Sequence, residues 1–189
     1  VEQLLRSFGD LIPVMSVGVL LAALTTWVLV VLRKRRWGLA EALRRSVLDA
    51  LLVCAALPVL YLVLVPIVGM DGTPVSLVPG ADLLHVIDEA RLWQLLGNLL
   101  LLAPLGALAP LRWSHLRSMA RVAITAAGVA VSIEAAQWLL DVGRVVSTDD
   151  ALVNTAGAIL GATMTRLWWV RARDRQNSSI AEHAEAGRD

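Results

Sequence analysis

Leu92 to Leu111 reads LWQLLGNLLLLAPLGALAPL, 20 residues without one charged side chain. An α-helix rises about 1.5 Å per residue, so this run reaches about 30 Å, the thickness of a bilayer's hydrocarbon core. Leu11 to Leu32 and Leu51 to Met70 repeat the pattern, with 22 and 20 uncharged residues. Val122 to Leu140 is a fourth run, interrupted only by Glu134. Ala151 to Val170 is a fifth, with Arg166 close enough to its end to snorkel to the interface.

The whole composition agrees with the runs. Of 189 residues, 57% are hydrophobic and 17% charged, with a mean hydropathy of +0.67; a soluble domain carries about a quarter charged residues. The expected fold class is all-α: a polytopic membrane protein, a bundle of five transmembrane helices. Cations orient it. Arg33 to Arg36 (with Lys34), Arg44, Arg45, Arg112, Arg117, Arg121, Arg171, Arg173, Arg175 and Arg188 make 13 on one side, against Arg6, Arg91 and Arg144, 3 on the other. The positive-inside rule therefore places the N-terminus outside and the C-terminus inside. Trp37, Trp113, Trp168 and Trp169 fall near the inner boundaries and Trp93 and Trp138 near the outer ones, where amphipathic rings prefer to sit; Trp27 does not. The first run is longer than a signal peptide's apolar core, and its basic cluster follows it, so it is expected to remain as a span.

Three regions follow: residues 1–70, two N-terminal transmembrane helices with a basic cytoplasmic connection; 71–170, a three-helix region with outer loops; and 171–189, a polar, disordered cytoplasmic tail. In the first connection, Glu41 lies four residues from both Trp37 and Arg45, the spacing of a helical turn resting on an anionic leaflet. In the second, Gly72, Pro74, Pro79 and Gly80 form turns. ADLLHVIDEAR at 81–91 then spaces Leu83, Val86, Ile87 and Ala90 as one apolar face, a short amphipathic helix on the outer surface.

Several chemistries are disfavoured. Cys54 is a lone mid-span cysteine, and His85, His115 and His183 are scattered, so neither a disulfide nor a metal site is expected. There is no nucleophile elbow, phosphate-binding glycine loop or dinucleotide fingerprint. No cofactor and no nucleic-acid partner are expected.

Glu134 in SIEAAQW, residues 132–138, is what the runs leave unexplained. A charge at a span's centre costs about 3 kcal/mol on insertion scales. Such an acid is retained against a gradient or kept neutral. Glu134 lies 12 residues beyond Val122, about 18 Å along the axis, hence in the outer half, and Gln137 at i+3 shares its face. Asn98 lies about 9 Å down the third span and Asn154 about 5 Å down the fifth, at similar depth. Above them the fourth connection carries Arg144, Asp149 and Asp150. Asparagines in spans serve as interhelical glue more often than as sites, and Asp149 and Asp150 suit equally the N-cap and first turn of the fifth helix. An ionisable group is not required of glue. The expected ligand-binding set is therefore Asn98, Glu134, Gln137, Arg144, Asp149, Asp150 and Asn154, with Arg144 as the charge partner of Glu134. Gly157 and Gly161 form a small-xxx-small face, and Pro104 and Pro110 interrupt the third span.

SLVPGADLL, LLGNLLLLAPLGALAPL and EAAQWLLDVGRVVSTDDALVNTAGAILG, spanning Ser76 to Gly161, resemble the VanZ-like family, named for a teicoplanin-resistance protein. Asn98, Pro104, Gly106, Glu134, Gln137, Arg144, Asp149, Asp150, Asn154, Gly157 and Gly161 stand in that family's order and spacing. Gly80, and Leu102 with Ala103, stand where aromatics are common in it. The resemblance implies a small integral protein of the bacterial cell membrane, multi-pass, in some cases with low-level resistance to teicoplanin-type glycopeptides.

Two functions are thus expected. In the first, a non-enzymatic envelope protein binds a membrane lipid, cell-wall precursor or glycopeptide in an outward-facing polar pocket and lowers teicoplanin susceptibility. In the second, Glu134 with Asp149 or Asp150 acts as an acid/base pair on a lipid-linked envelope substrate. The absence of a nucleophile or metal motif favours the first.

Overall fold

The structure, a computed structural model, describes residues 11–66, 75–76, 78–80 and 89–186. Apart from one two-residue strand pairing and a short 3₁₀ turn, its elements are α-helices: α1 (Leu11–Trp37), α2 (Leu39–Leu64), α3 (Glu89–Arg112), α4 (Met119–Leu139) and α5 (Thr148–Ala186). By length and composition, three are long and apolar enough to cross a membrane: Leu39–Leu64, Gln94–Arg112 and Met119–Leu139. Helices also form where the sequence places the first and fifth spans. The amphipathic helix expected at 81–91 falls largely outside the described residues.

The chain divides into two compact units, up to Cys54 and from Ala55 onward. In the first, only Gly38 separates α1 from α2. It takes φ 74°, left-handed, donates its N–H to Lys34 O and accepts Ala42 N–H, both at 3.1 Å. A glycine in this conformation closes a helix at no steric cost. The connection at 33–49 is therefore almost wholly helix. The residues after Gly38, LAEALRRSVL, are mostly strong helix formers and contain neither Gly nor Pro. Charges here find one another. Arg33 on α1 meets Asp49 at 2.6 Å and Ser46 at 3.4 Å on α2. Glu41 takes Arg44 at 2.8 Å and Arg45 at 2.6 Å, and Arg45 lies 4.1 Å from the Trp37 ring centroid, a cation–π distance.

The second unit is turned inside out relative to a water-soluble domain. Ile124, Leu139, Leu160, Met164, Leu167 and Trp168 are exposed, whereas Glu134, Gln137, Ser147, Asp149, Asn154 and Thr165 are buried. Where lipid is the solvent, apolar side chains gain nothing by hiding, so the interior goes to small and polar residues that let backbones meet. The core is accordingly small: Leu102, Ala126, Ala130, Ile133 and Ala158, with Val59, Val63, Leu105 and Ala151 packed against it.

Helices α3 and α5 meet at backbone contact. A Cβ on Gly106 would overlap the Ala158 carbonyl, one on Gly157 that of Leu99, and one on Gly161 that of Ala103. Ala158 is 3% exposed, so the contact stripe includes it as well as the two glycines. Further along, Thr165 Oγ1 donates to Ala107 O at 2.9 Å across the seam. Pro104 and Pro110 do not interrupt α3, which runs through both. Arg117 Nε donates to Pro110 O at 3.3 Å, an example of a neighbour satisfying backbone beside a helical proline.

The α5 helix continues to Ala186, well past the expected end of the fifth span at Val170. The part beyond Val170 begins as an extension of an established helix, and adding a residue to a helix costs far less than nucleating one. Trp169, expected at the interface, is instead 2% exposed, its Nε1 donating to Ala162 O at 3.3 Å; Trp168 keeps the exposed position.

Candidate functional site

The end of α4 sets the geometry. Val142 N–H reaches Gln137 O at 3.3 Å and Asp141 N–H reaches Trp138 O at 3.2 Å, the two bonds of a Schellman motif. Asp141 takes the left-handed position at φ 48°, which Asp tolerates better than most residues. The chain reverses through Gly143, left-handed at φ 68°. Val146 and Ser147 then form a strand (β2) that pairs in parallel with Val75–Ser76 (β1), Val75 opposite Val146 and Ser76 opposite Ser147.

Ser147 then caps α5. Its Oγ accepts Asp149 N–H at 3.2 Å, the N-cap to N2 bond. The cap is thus Ser147 rather than Asp149; Asp149 and Asp150 are first-turn acids, where the helix dipole favours negative charge. In a capping box the N3 side chain would return to the N-cap N–H. Here a neighbouring helix does so: Glu134 Oε2 on α4 accepts Ser147 N–H at 3.0 Å in a buried setting. Asp149 serves the adjacent connection, its Oδ1 accepting Gly80 N–H at 2.6 Å.

Beside this junction lies a cavity of about 280 Å³, lined by Leu62, Gln94, Asn98, Leu101, Ile133, Glu134, Gln137, Gly143, Arg144, Val145, Asp150 and Asn154. Six of the seven residues named from sequence line it; Asp149 is buried but absent from the lining. Glu134 and Gln137 share one buried face of α4, as their spacing requires.

Hydrogen bonding sorts these residues. Gln137 Nε2 donates to Leu62 O at 3.4 Å, and Gln94 Nε2 to Asp150 Oδ2 at 3.3 Å. Asn98 Nδ2, Arg144 Nε and Asn154 Oδ1 are buried without a hydrogen-bond partner, and Asn154 as a whole is 1% exposed. Among the described residues, no ion pair joins Arg144 to Glu134. The expected pairing is replaced by the bond from Glu134 to the Ser147 backbone. Arg144 lines the cavity with its buried Nε unpartnered.

Beyond this geometry, a family model described as VanZ/LLP1 matches residues 19–169. The chain belongs to the VanZ/LLP1 family. No curated protein and no solved structure matches it. The VanZ/LLP1 match reaches beyond the 76–161 stretch whose motifs are legible by eye, taking in most of α1 and all of α2. Apolar positions in those helices are interchangeable and leave few residues to recognise.

Two further residues of this region of the VanZ/LLP1 chain carry signals of their own in the sequence. Ser147 and Asp150 stand at the S-x-x-D spacing of a capping box, which marks Ser147 as the cap. Gln94 precedes Asn98 by four residues and so shares its helix face. Leu62 contributes a backbone carbonyl from α2, and no sequence pattern announces that. Among the described residues no cluster of His, Cys, Asp and Glu is placed to hold a metal ion.

Proposed function

We propose that this VanZ/LLP1 protein is a multi-pass protein of the bacterial cell membrane, crossing it five times with its N-terminus outside, and that the cavity is a ligand-binding pocket opening to the outer surface. Its occupant is the polar part of a membrane-associated molecule: a lipid, a cell-wall precursor or a glycopeptide. Holding it there lowers susceptibility to teicoplanin-type antibiotics. One observation carries the reading: polar atoms of Asn98, Arg144 and Asn154, from α3, the α4–α5 turn and α5, are buried around one cavity without partners. An unpaired buried polar group costs about 1–3 kcal/mol. Three such groups around one space are supported by a ligand that satisfies them. The lining groups named are amides, acids and a guanidinium, which hold a ligand by hydrogen bonds and charge, and none resembles an activated nucleophile.

The test uses thiol labelling in intact cells, in a Cys54→Ala background. Val145 lines the cavity and is 41% exposed, so Val145→Cys is expected to react with an impermeant maleimide, while Leu39→Cys, beside the basic cluster, reacts only after permeabilisation. Teicoplanin or a lipid that occupies the cavity slows the reaction at Val145→Cys. The reverse labelling pattern overturns the orientation. Labelling rates unchanged by teicoplanin and by every lipid class of the cell's own membrane overturn the pocket.

A further inference from the structure

The unmet groups differ in sign, and that difference describes the ligand. Arg144 Nε and Asn98 Nδ2 are donors, and Asn154 Oδ1 is an acceptor. Arginine carries no acceptor at all, so the guanidinium requires an oxygen-bearing, preferably anionic, partner. Asn154, 1% exposed, requires a donor. Near it the lining carries Glu134, with one oxygen engaged by Ser147 N–H, and Asp150. A ligand bearing only negative charge would meet Arg144 and Asn98, leave Asn154 Oδ1 unpaired and face two acids. One bearing only positive charge would leave both donors unpaired.

Resting on the pocket reading above, we propose that the cavity recognises a molecule carrying an anionic phosphate and a primary ammonium a few bonds apart, the phosphoethanolamine group. The phosphate accepts from Arg144 and Asn98; the ammonium donates to Asn154 Oδ1 within the field of Glu134 and Asp150. Four lining residues, Leu62, Leu101, Ile133 and Val145, are apolar, and helices α3 and α4 that build the cavity are among those able to cross a membrane. A headgroup borne on acyl chains reaches such a place from the bilayer. A soluble phosphoethanolamine ester presents the same chemistry from the aqueous side.

The experiment is native mass spectrometry of the full chain in detergent, titrated with phosphatidylethanolamine, phosphatidylglycerol and phosphatidylcholine of identical acyl chains, with soluble glycerophosphoethanolamine as competitor. Phosphatidylethanolamine is expected to bind roughly tenfold more tightly than either other lipid, the size of effect that a charge-assisted hydrogen bond supplies. Phosphatidylglycerol lacks the ammonium, and phosphatidylcholine lacks its N–H donors. Arg144→Gln is expected to weaken binding of all three lipids, as is Asn98→Leu, which provides a second arm where one variant fails to fold, and Asn154→Leu is expected to remove the preference for phosphatidylethanolamine. Displacement of the lipid by glycerophosphoethanolamine at matching concentration identifies the soluble source; no displacement identifies the lipid. Phosphatidylglycerol bound as tightly as phosphatidylethanolamine, but still lost in Arg144→Gln, overturns the phosphoethanolamine assignment and keeps the pocket. Binding of all three lipids unaltered by any folded variant overturns both.

Discussion

Helices α3 and α5 run together for several turns, and their two ends differ. Along the seam, Gly106, Gly157 and Gly161 bring backbone against backbone, and Thr165 spends its hydroxyl on Ala107 O. One turn before Gly157, Asn154 and its counterpart Asn98 face open space with polar atoms unpaired. The same chain thus both satisfies its buried polar groups and leaves them unsatisfied, within a few residues. Structural needs are met wherever backbones touch; the unmet groups gather where the helices part around a cavity. The first unit supports the same distinction, since its Arg33, Glu41, Arg44, Arg45 and Asp49 all have partners within their own unit.

The contrast can be broken most forcefully at the seam. Gly157→Leu places side-chain atoms where the Leu99 carbonyl lies, and loss of at least about 3 kcal/mol is expected, against about 0.5 kcal/mol or less for the exposed neighbour Ala156→Leu. Thermal unfolding in detergent measures both. Equal effects would remove the seam from the account. The junction between seam and cavity comes next. Glu134→Ala leaves the buried Ser147 N–H without its acceptor and is expected to cost about 1–3 kcal/mol, whereas Glu134→Gln keeps an acceptor oxygen and most of the stability. A Gln variant as unstable as the Ala variant would mean that the carboxylate's charge, rather than its oxygen, holds the junction. Smaller still is Thr165→Val, which removes one interhelical hydrogen bond at a cost of about 1 kcal/mol in the same assay.

The helices were legible because apolar length is a one-dimensional signal: a run of twenty uncharged residues needs no partner to be read. Their contacts were legible in part. Gly157 and Gly161 declare a stripe by spacing, but Ala158 belongs to it because of where Gly106 sits on the facing helix, and nothing in the sequence near Ala158 says so. Likewise the polar set gathered as depth and face required, while the partner of Glu134 did not. Arg144 is the obvious cation for an acid ten residues away, yet the Schellman turn carries the chain past it and presents the Ser147 N–H instead. Backbone donors have no letter in the sequence, so hydrogen bonds to them go unseen. The prolines of α3 and the helical tail show a related limit. Local propensity marks Pro104 and Pro110 as breaks, but a helix held by its neighbours runs through them, and α5 likewise continues past Asp174.

The central claim is that the unpaired polar groups of the cavity, on Asn98, Arg144 and Asn154, serve a ligand and not the fold. Asn154→Leu tests it most directly, because the substitution keeps a side chain of similar size and deletes a buried oxygen that has no partner. Thermal unfolding of Asn154→Leu in detergent, beside wild type and Thr165→Val, is expected to show no loss of stability and a gain of up to about 1 kcal/mol, since an unpaired buried polar atom has been removed. A loss equal to or greater than that of Thr165→Val would make Asn154 part of what holds the helices together, and would contradict the claim.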